Sequence, residues 1–249
     1  MKLRSLICLG ALVVAGVASA EIAAPTSNTF GWLRVDSTKQ YTIVAVPWLG
    51  CDGAAVKVAD LVKVDNLTAG DMLYVYQNET ETETGTYKAW VLQNGVWTPA
   101  TTVAEGKRPA AAAGAAETAL ARGSALWLYR QNATNPFYVY GQHSADTASA
   151  PALTPGAYNL VANPNASGYD LNSGKITGAA KGDQVQVVGD AGVTRVYTFD
   201  GTNWGYDNLV PVEGAPFSRN ERVTTGCTIP AGQGVWYVSK GTTAPTIEW

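Results

Sequence analysis

One short stretch occurs twice in this chain, and a chain that repeats itself is constrained to fold as repeats. Residues Leu120-Ala-Arg-Gly-Ser-Ala-Leu-Trp-Leu-Tyr-Arg130 return as Ile229-Pro-Ala-Gly-Gln-Gly-Val-Trp-Tyr-Val-Ser239, so that Gly123 matches Gly232 and Trp127 matches Trp236. Each copy reads as a strand approached through a glycine turn. Other blocks recur in the same order. Tyr41-Thr-Ile-Val-Ala-Val-Pro47 matches Tyr158-Asn-Leu-Val-Ala-Asn-Pro164, and Asp60-Leu61 matches Asp170-Leu171. Gly70-Asp71 before Met72-Leu-Tyr-Val-Tyr76 matches Gly182-Asp183 before Gln184-Val-Gln-Val-Val188, and the run from Trp90 to Trp97 matches that from Tyr197 to Trp204. Proline at the end of a run cannot donate to a ladder and stops the strand in both copies. Asn94-Gly95 and Asp200-Gly201 are hairpin signals.

The fold expected is therefore all-β, two tandem homologous modules of β-sandwich or barrel-like form related by pseudo-symmetry, over residues 29–142 and 155–249. The link, residues 143–154, is small, polar and proline-bearing, as a boundary should be. Around Trp127, Ala125 and Tyr129 share one face while Leu126 and Leu128 take the other, and both faces are apolar. Such a strand lies in the middle of a sandwich or barrel, or between the modules. Trp97, Trp204, Trp127 and Trp236 recur in both copies and are expected in the cores. Leu73 and Val75 match Val185 and Val187 as a core face, which leaves Tyr74 and Tyr76 facing outward. The alanine-rich run from Arg108 to Leu120, with no counterpart of its kind in the second copy, allows at most one weakly anchored helix.

Residues 1–20 read as a leader: Lys2 and Arg4, an apolar run from Leu6 to Val17, then Ala18-Ser19-Ala20 before the cut. The mature chain then begins at Glu21, with a mobile lead over residues 21–28. The leader's short form suggests a bacterium and an exported protein of the periplasm, cell surface or medium. No later run approaches the roughly 18 apolar residues of a membrane span. The formal net charge of −3 becomes more negative once Lys2 and Arg4 are removed, and no basic stripe with interleaved aromatics occurs, so nucleic acid is not an expected partner. Beyond the leader's Cys8, only Cys51 and Cys227 remain, one in each half. In an oxidising compartment the pair suggests a disulfide clamping the modules together.

Catalytic candidates are few. His143 is the single histidine and lies in the link, with no nucleophile motif attached. The repeated acids Asp60/Asp170 and Asp71/Asp183 could supply a carboxylate pair for a hydrolase, but an aspartate beside glycine at the start of a strand is more simply a turn residue. Residues 78–85 alternate charge with threonine and read as a hairpin tip. Asp200 to Asp207 carries oxygens at calcium-like spacing without the closing glutamate, and it aligns with an ordinary hairpin. The expectation is a non-catalytic protein without a cofactor or metal, structural or interactive in the bacterial envelope or exterior. Trp48, Tyr74 and Tyr76 face non-aromatic counterparts in the second copy, so they are the candidate ligand-binding residues. Through them the protein would take a glycan or an envelope protein as partner, which makes carbohydrate binding the first alternative and a carboxylate-based hydrolase the second.

The series Asn159-Leu-Val-Ala-Asn-Pro164, Asp170-Leu171, Gly182-Asp183 and Ile229-Pro-Ala-Gly-Gln-Gly-Val-Trp-Tyr237 resembles a β-module that recurs in large secreted and cell-surface proteins of Bacteroidetes and Verrucomicrobia-type bacteria. The likeness covers residues 159–239 and, more loosely, 42–130. It implies a β-sandwich-like surface module and supplies no catalytic residues. Unlike the common arrangement, no sorting domain follows the module before Trp249.

Overall fold

A computed structural model describes residues 30–35, 41–50, 54–62, 64–77, 79–80, 86–102, 109–132, 135–142, 151–189, 192–211 and 218–249. The leader, the lead, Cys51, His143 and residues 143–150 of the link lie outside the described residues.

The chain is all-β, built from antiparallel sheets. Its first half contributes β1 (Phe30–Val35), β2 (Tyr41–Ala45), β3 (Val56–Lys57), the single-turn helix α1 (Val58–Leu61), β4 (Met72–Gln77), β5 (Glu79–Thr80), β6 (Thr86–Gln93), β7 (Val96–Pro99), β8 (Ala119–Leu120), β9 (Ala125–Tyr129) and β10 (Phe137–Gln142). Its second half contributes β11 (Ala157–Ala162), β12 (Tyr169–Asp170), β13 (Ile176–Thr177), β14 (Gln184–Gly189), β15 (Gly192–Phe199), β16 (Trp204–Pro211), β17 (Ser218–Val223), β18 (Thr228–Ile229), β19 (Gly234–Val238) and β20 (Thr246–Ile247).

A five-stranded sheet runs β2-β9-β4-β6-β7, and a seven-stranded sheet contains β11-β19-β14-β15-β16 in the corresponding order. The second sheet is extended by β17 at one edge and at the other by β5, which crosses from the first half to pair with Ala157 and Tyr158. Short ladders sit beside each sheet at matching places, β3 with β8 and β12 with β18.

The turns match as closely as the strand order. Gly70 and Gly182 adopt φ of 94° and 96°, which a side chain rarely tolerates. The Gly70 N–H donates to Leu92 and the Leu92 N–H to the Asp71 carbonyl, just as the Gly182 N–H donates to Phe199 and the Phe199 N–H to the Asp183 carbonyl. The repeated stretch behaves likewise: the Gly123 N–H donates to Val46 and the Gly232 N–H to Asn163.

Each half encloses its own core. Val44, Leu73, Trp90, Trp97, Leu126, Leu128 and Phe137 are buried in the first; Val161, Val185, Trp204, Ile229, Val235, Tyr237 and Trp249 are buried in the second. A separate cluster joins the halves, with Ala45, Ala125, Leu160 and Ala162 surrounded by Ile43, Tyr76, Trp127 and Trp236. This accounts for a strand that is apolar on both faces. Leu126 and Leu128 of β9 turn into their own core while Ala125 and Trp127 meet the other half, and β19 divides Val235 and Tyr237 from Gly234 and Trp236 in the same way. Trp97 and Trp204 are core residues as expected, whereas Trp127 and Trp236 are half-buried and lie between the halves.

The contact is close enough to require glycine. A Cβ at Gly234 would collide with Cγ2 of Ile43, and one at Gly123 would press on the Trp249 indole, 2.9 Å from its Cδ1. The buried Arg122 guanidinium donates to the Pro47 carbonyl at 3.1 Å and to Oδ1 of Asn165 at 3.2 Å, tying one half to the other.

Within the bound of at most one weak helix, the alanine-rich run forms none over its described residues; Ala110 is bridged in parallel to Lys88, and the Trp90 indole N–H donates to the Ala113 carbonyl at 2.9 Å. Alanine's helix propensity, worth tenths of a kcal/mol per residue, yields to a sheet edge that needs covering. The disulfide expected between Cys51 and Cys227 is not present. Cys227 is a free, buried thiol inside the second core, its S–H directed at the Trp204 carbonyl 3.4 Å away.

Candidate functional site

A hydrolase would need the repeated aspartates Asp71 and Asp183 free. Both are wholly buried. Asp71 accepts the Thr68 N–H on Oδ2 at 3.0 Å and the Gln131 N–H on Oδ1 at 2.8 Å. Asp183 accepts the Ala180 N–H on Oδ2 at 3.0 Å, the Lys240 N–H on Oδ1 at 2.6 Å, and the Tyr237 hydroxyl on Oδ2 at 2.7 Å. Each carboxylate fastens the start of a central strand to the end of its neighbour, as the turn reading anticipated. The other repeated pair is exposed: Asp60 lies on α1, and Asp170 accepts the Asn172 N–H in a local turn.

The three candidate aromatics are not gathered into one face. Trp48 is half-buried, packs against the first core and has its Cβ over Gly141. Tyr74 is only 7% exposed, beside Met72 and Ala89, so its expected outward placement is not observed. Tyr76 meets Trp236 edge-on at a centroid distance of 4.7 Å and Tyr87 at 5.2 Å, inside the contact between the halves. The face of β4 opposite the core was read as outward because its copy carries Gln186. Instead, the second half and the aromatic ring of Tyr87 cover it.

The Asp200 loop is a hairpin, and its carboxylate is already occupied. Oδ1 accepts the N–H groups of Thr202 and Asn203, both at 2.8 Å, and Oδ2 accepts Nε of Arg222 at 3.2 Å. The backbone donors Asn203 and Thr202, then Arg222, hold the Asp200 carboxyl below its ordinary range. Among the described residues no group of three potential metal ligands occurs.

A different place has the form of a site. Between β15 and β16 the ladder consists of Thr198↔Gly205 and Phe199↔Trp204 and then stops. β15 continues to pair with β14, and β16 pairs with β17 from Tyr206↔Val223 to Pro211↔Ser218. The sheet is thus split, and the split is a slot of about 470 Å³ lined by Arg195, Val196 and Thr198 on one side and Tyr206, Asp207, Asn208 and Arg222 on the other. Arg222 closes its root: Nη2 donates to the Thr198 carbonyl at 2.6 Å and the Asn203 carbonyl at 3.3 Å. Gly205 makes room for this guanidinium, since a Cβ there would stand 3.0 Å from its Cζ and 2.9 Å from the Val223 carbonyl. Arg195 lies over the Tyr206 ring at 4.4 Å. Arg222 is engaged by Asp200 and two carbonyls, so the slot offers the Arg195 guanidinium, the Tyr206 ring and strand edges, with Asp207 on the wall opposite Arg195, a lining suited to an extended peptide.

Sequence reasoning did not find this slot. The available signal was that the second copy has no alanine-rich segment, and that Ser218-Arg-Asn-Glu-Arg222 places charges where the first copy is apolar. Compared with protein-family models, with curated proteins and with solved structures, the chain finds no match in any of the three.

Proposed function

We propose that this is an exported structural or interaction protein of the bacterial envelope or exterior, made of two tandem homologous β-modules. The observation that carries the reading is the fate of the repeated residues. Matching strands stand in matching order, and the repeated aspartates and tryptophans are taken up in turns, cores and the contact between halves. What the two halves share is thus a scaffold, and what differs between them is left for recognition. The resemblance to a recurring surface module of Bacteroidetes and Verrucomicrobia-type bacteria supports the same reading, as does the leader over residues 1–20.

The test is to mix the purified mature protein with the envelope fraction of the cells that make it, then sediment the envelope and assay the supernatant. Specific, saturable co-sedimentation without release of reducing sugar or peptide is expected. A protein that stays in the supernatant sinks the reading, and one that releases products from the envelope replaces it with the hydrolase.

A further inference from the structure

The slot between β15 and β16 has an occupied counterpart within the same chain. Phe199 exchanges backbone hydrogen bonds with Gly182 and Asp183 on the β14 side. In an antiparallel ladder alternate residues face alternate neighbours, so the backbone groups of Thr198 and Val196 turn toward β16. Those of Thr198 are used: it pairs with Gly205, and its carbonyl accepts Arg222. Continuing that register would place Val196 against Asp207, but the ladder ends before them.

In the first half Leu92 takes the place of Phe199, which makes Ala89 the counterpart of Val196. There the edge is filled by the chain itself. The Ala89 carbonyl accepts the Ala100 N–H at 2.8 Å, and the Tyr87 carbonyl accepts the Ala110 N–H at 2.8 Å. Ala100, just past β7, thus meets the edge of β6 at Ala89, and Ala110 of the alanine-rich run meets it at Tyr87 and is bridged in parallel to Lys88. In the second half β16 pairs with β17 from Tyr206 to Pro211, and among the described residues nothing pairs with the β16-facing edge of β15 beyond Thr198. Uncovered strand edges facing each other are a template for a further strand.

We propose that this slot accepts one extended segment of another polypeptide, small in its side chains and carrying a carboxylate that meets Arg195. The strand adds to β15 at Val196 through main-chain hydrogen bonds, the mode of β-strand addition. Arg195, its Cζ 4.4 Å from the centroid of the Tyr206 ring, supplies charge complementarity by pairing with the carboxylate in a bidentate manner. This rests on reading the chain as an interaction protein, and names the surface by which it interacts.

The experiment is an amide-resolved NMR titration of the isotope-labelled mature chain with the N-acetylated, C-amidated peptide Ala-Ala-Ala-Ala-Asp, whose only carboxylate is the Asp side chain. Two controls accompany it: the same peptide with Asn in place of Asp, and one N-methylated at alternate residues so that one edge cannot donate. Saturable shifts at Val196 and Asp207 are expected, weakened at least fivefold by Arg195→Gln and by the Asn peptide, and absent with the N-methylated peptide. Arg195 is exposed, so Arg195→Gln leaves the fold and its melting temperature in place. Absence of saturable shifts, or equal shifts with the N-methylated peptide, overturns the proposal. So does concentration-dependent self-association that broadens the same two signals without peptide, because the occupant would then be a second copy. A failed titration with intact envelope sedimentation removes the slot and leaves the interaction reading standing.

Discussion

The hydroxyl of Tyr237 donates to Oδ2 of Asp183 at 2.7 Å, and neither side chain reaches solvent. The matching position in the first half is Leu128, which has no hydroxyl to offer Asp71, and the charge of Asp71 is felt instead by the buried Arg130 guanidinium. A buried carboxylate thus holds the turn in both halves, with a phenol bonded to it in one and none at the matching position in the other. Burial and then Asp183 push the Tyr237 hydroxyl upward, so it remains a donor at every physiological pH.

Tyr237→Phe should therefore cost about 1–3 kcal/mol, the penalty for leaving a buried charged acceptor short of a donor. Urea unfolding followed by tryptophan fluorescence measures it. A loss below about 0.5 kcal/mol would mean that the two backbone N–H donors alone satisfy Asp183.

Gly234→Ala forces a methyl group into Ile43 across the contact between the halves. Overpacking of this kind costs about 1–3 kcal/mol. Pairing it with Ile43→Ala should recover part of the loss, so that the double variant is less destabilised than the sum of the single ones. Additive losses would show that the two sites do not touch in solution.

Tyr169 packs edge-on against Trp249 with ring centroids 4.9 Å apart, and burial, then the charges of Glu248 and Asp170, push its hydroxyl up to about 12. A tyrosine in the unfolded chain ionises near 10. Between those values the folded state holds more protons than the unfolded one, so stability falls as pH rises from about 10 to 12. In Tyr169→Phe that part of the alkaline decline should disappear. An identical decline in the variant assigns it to other groups.

Cys227 should resist thiol reagents in the native protein and react once it is unfolded, because burial pushes its thiol up and the core excludes the reagent. Reducing agent should leave the melting temperature unchanged. A drop on reduction would restore the disulfide.

The part of the fold legible in the sequence is the part encoded within a few residues. Gly70-Asp71 and Gly182-Asp183 specify a left-handed glycine followed by an aspartate that accepts nearby N–H groups, and such a motif carries its conformation wherever it occurs. Period-two patterning in β9 and β19 likewise dictates strands and alternating faces before any packing is known. The all-β fold class follows from those local signals.

Only tertiary structure decided what each face meets. The non-aromatic counterparts Gln186 and Val188 in β14 point to an outward face for Tyr74 and Tyr76, yet Tyr87 and the second half cover that face. The alanine-rich run was read by its propensity, yet its conformation answers to the edge of β6, which is distant in sequence. The slot beside β15 appears only when the two halves are compared in space, since Ala100 and Ala110 meet the edge of β6 while the ladder between β15 and β16 stops at Thr198. Apolar contacts are non-directional, and the same alternating pattern buries equally well against its own core or another module's. Long-range packing, rather than local sequence, selects between them.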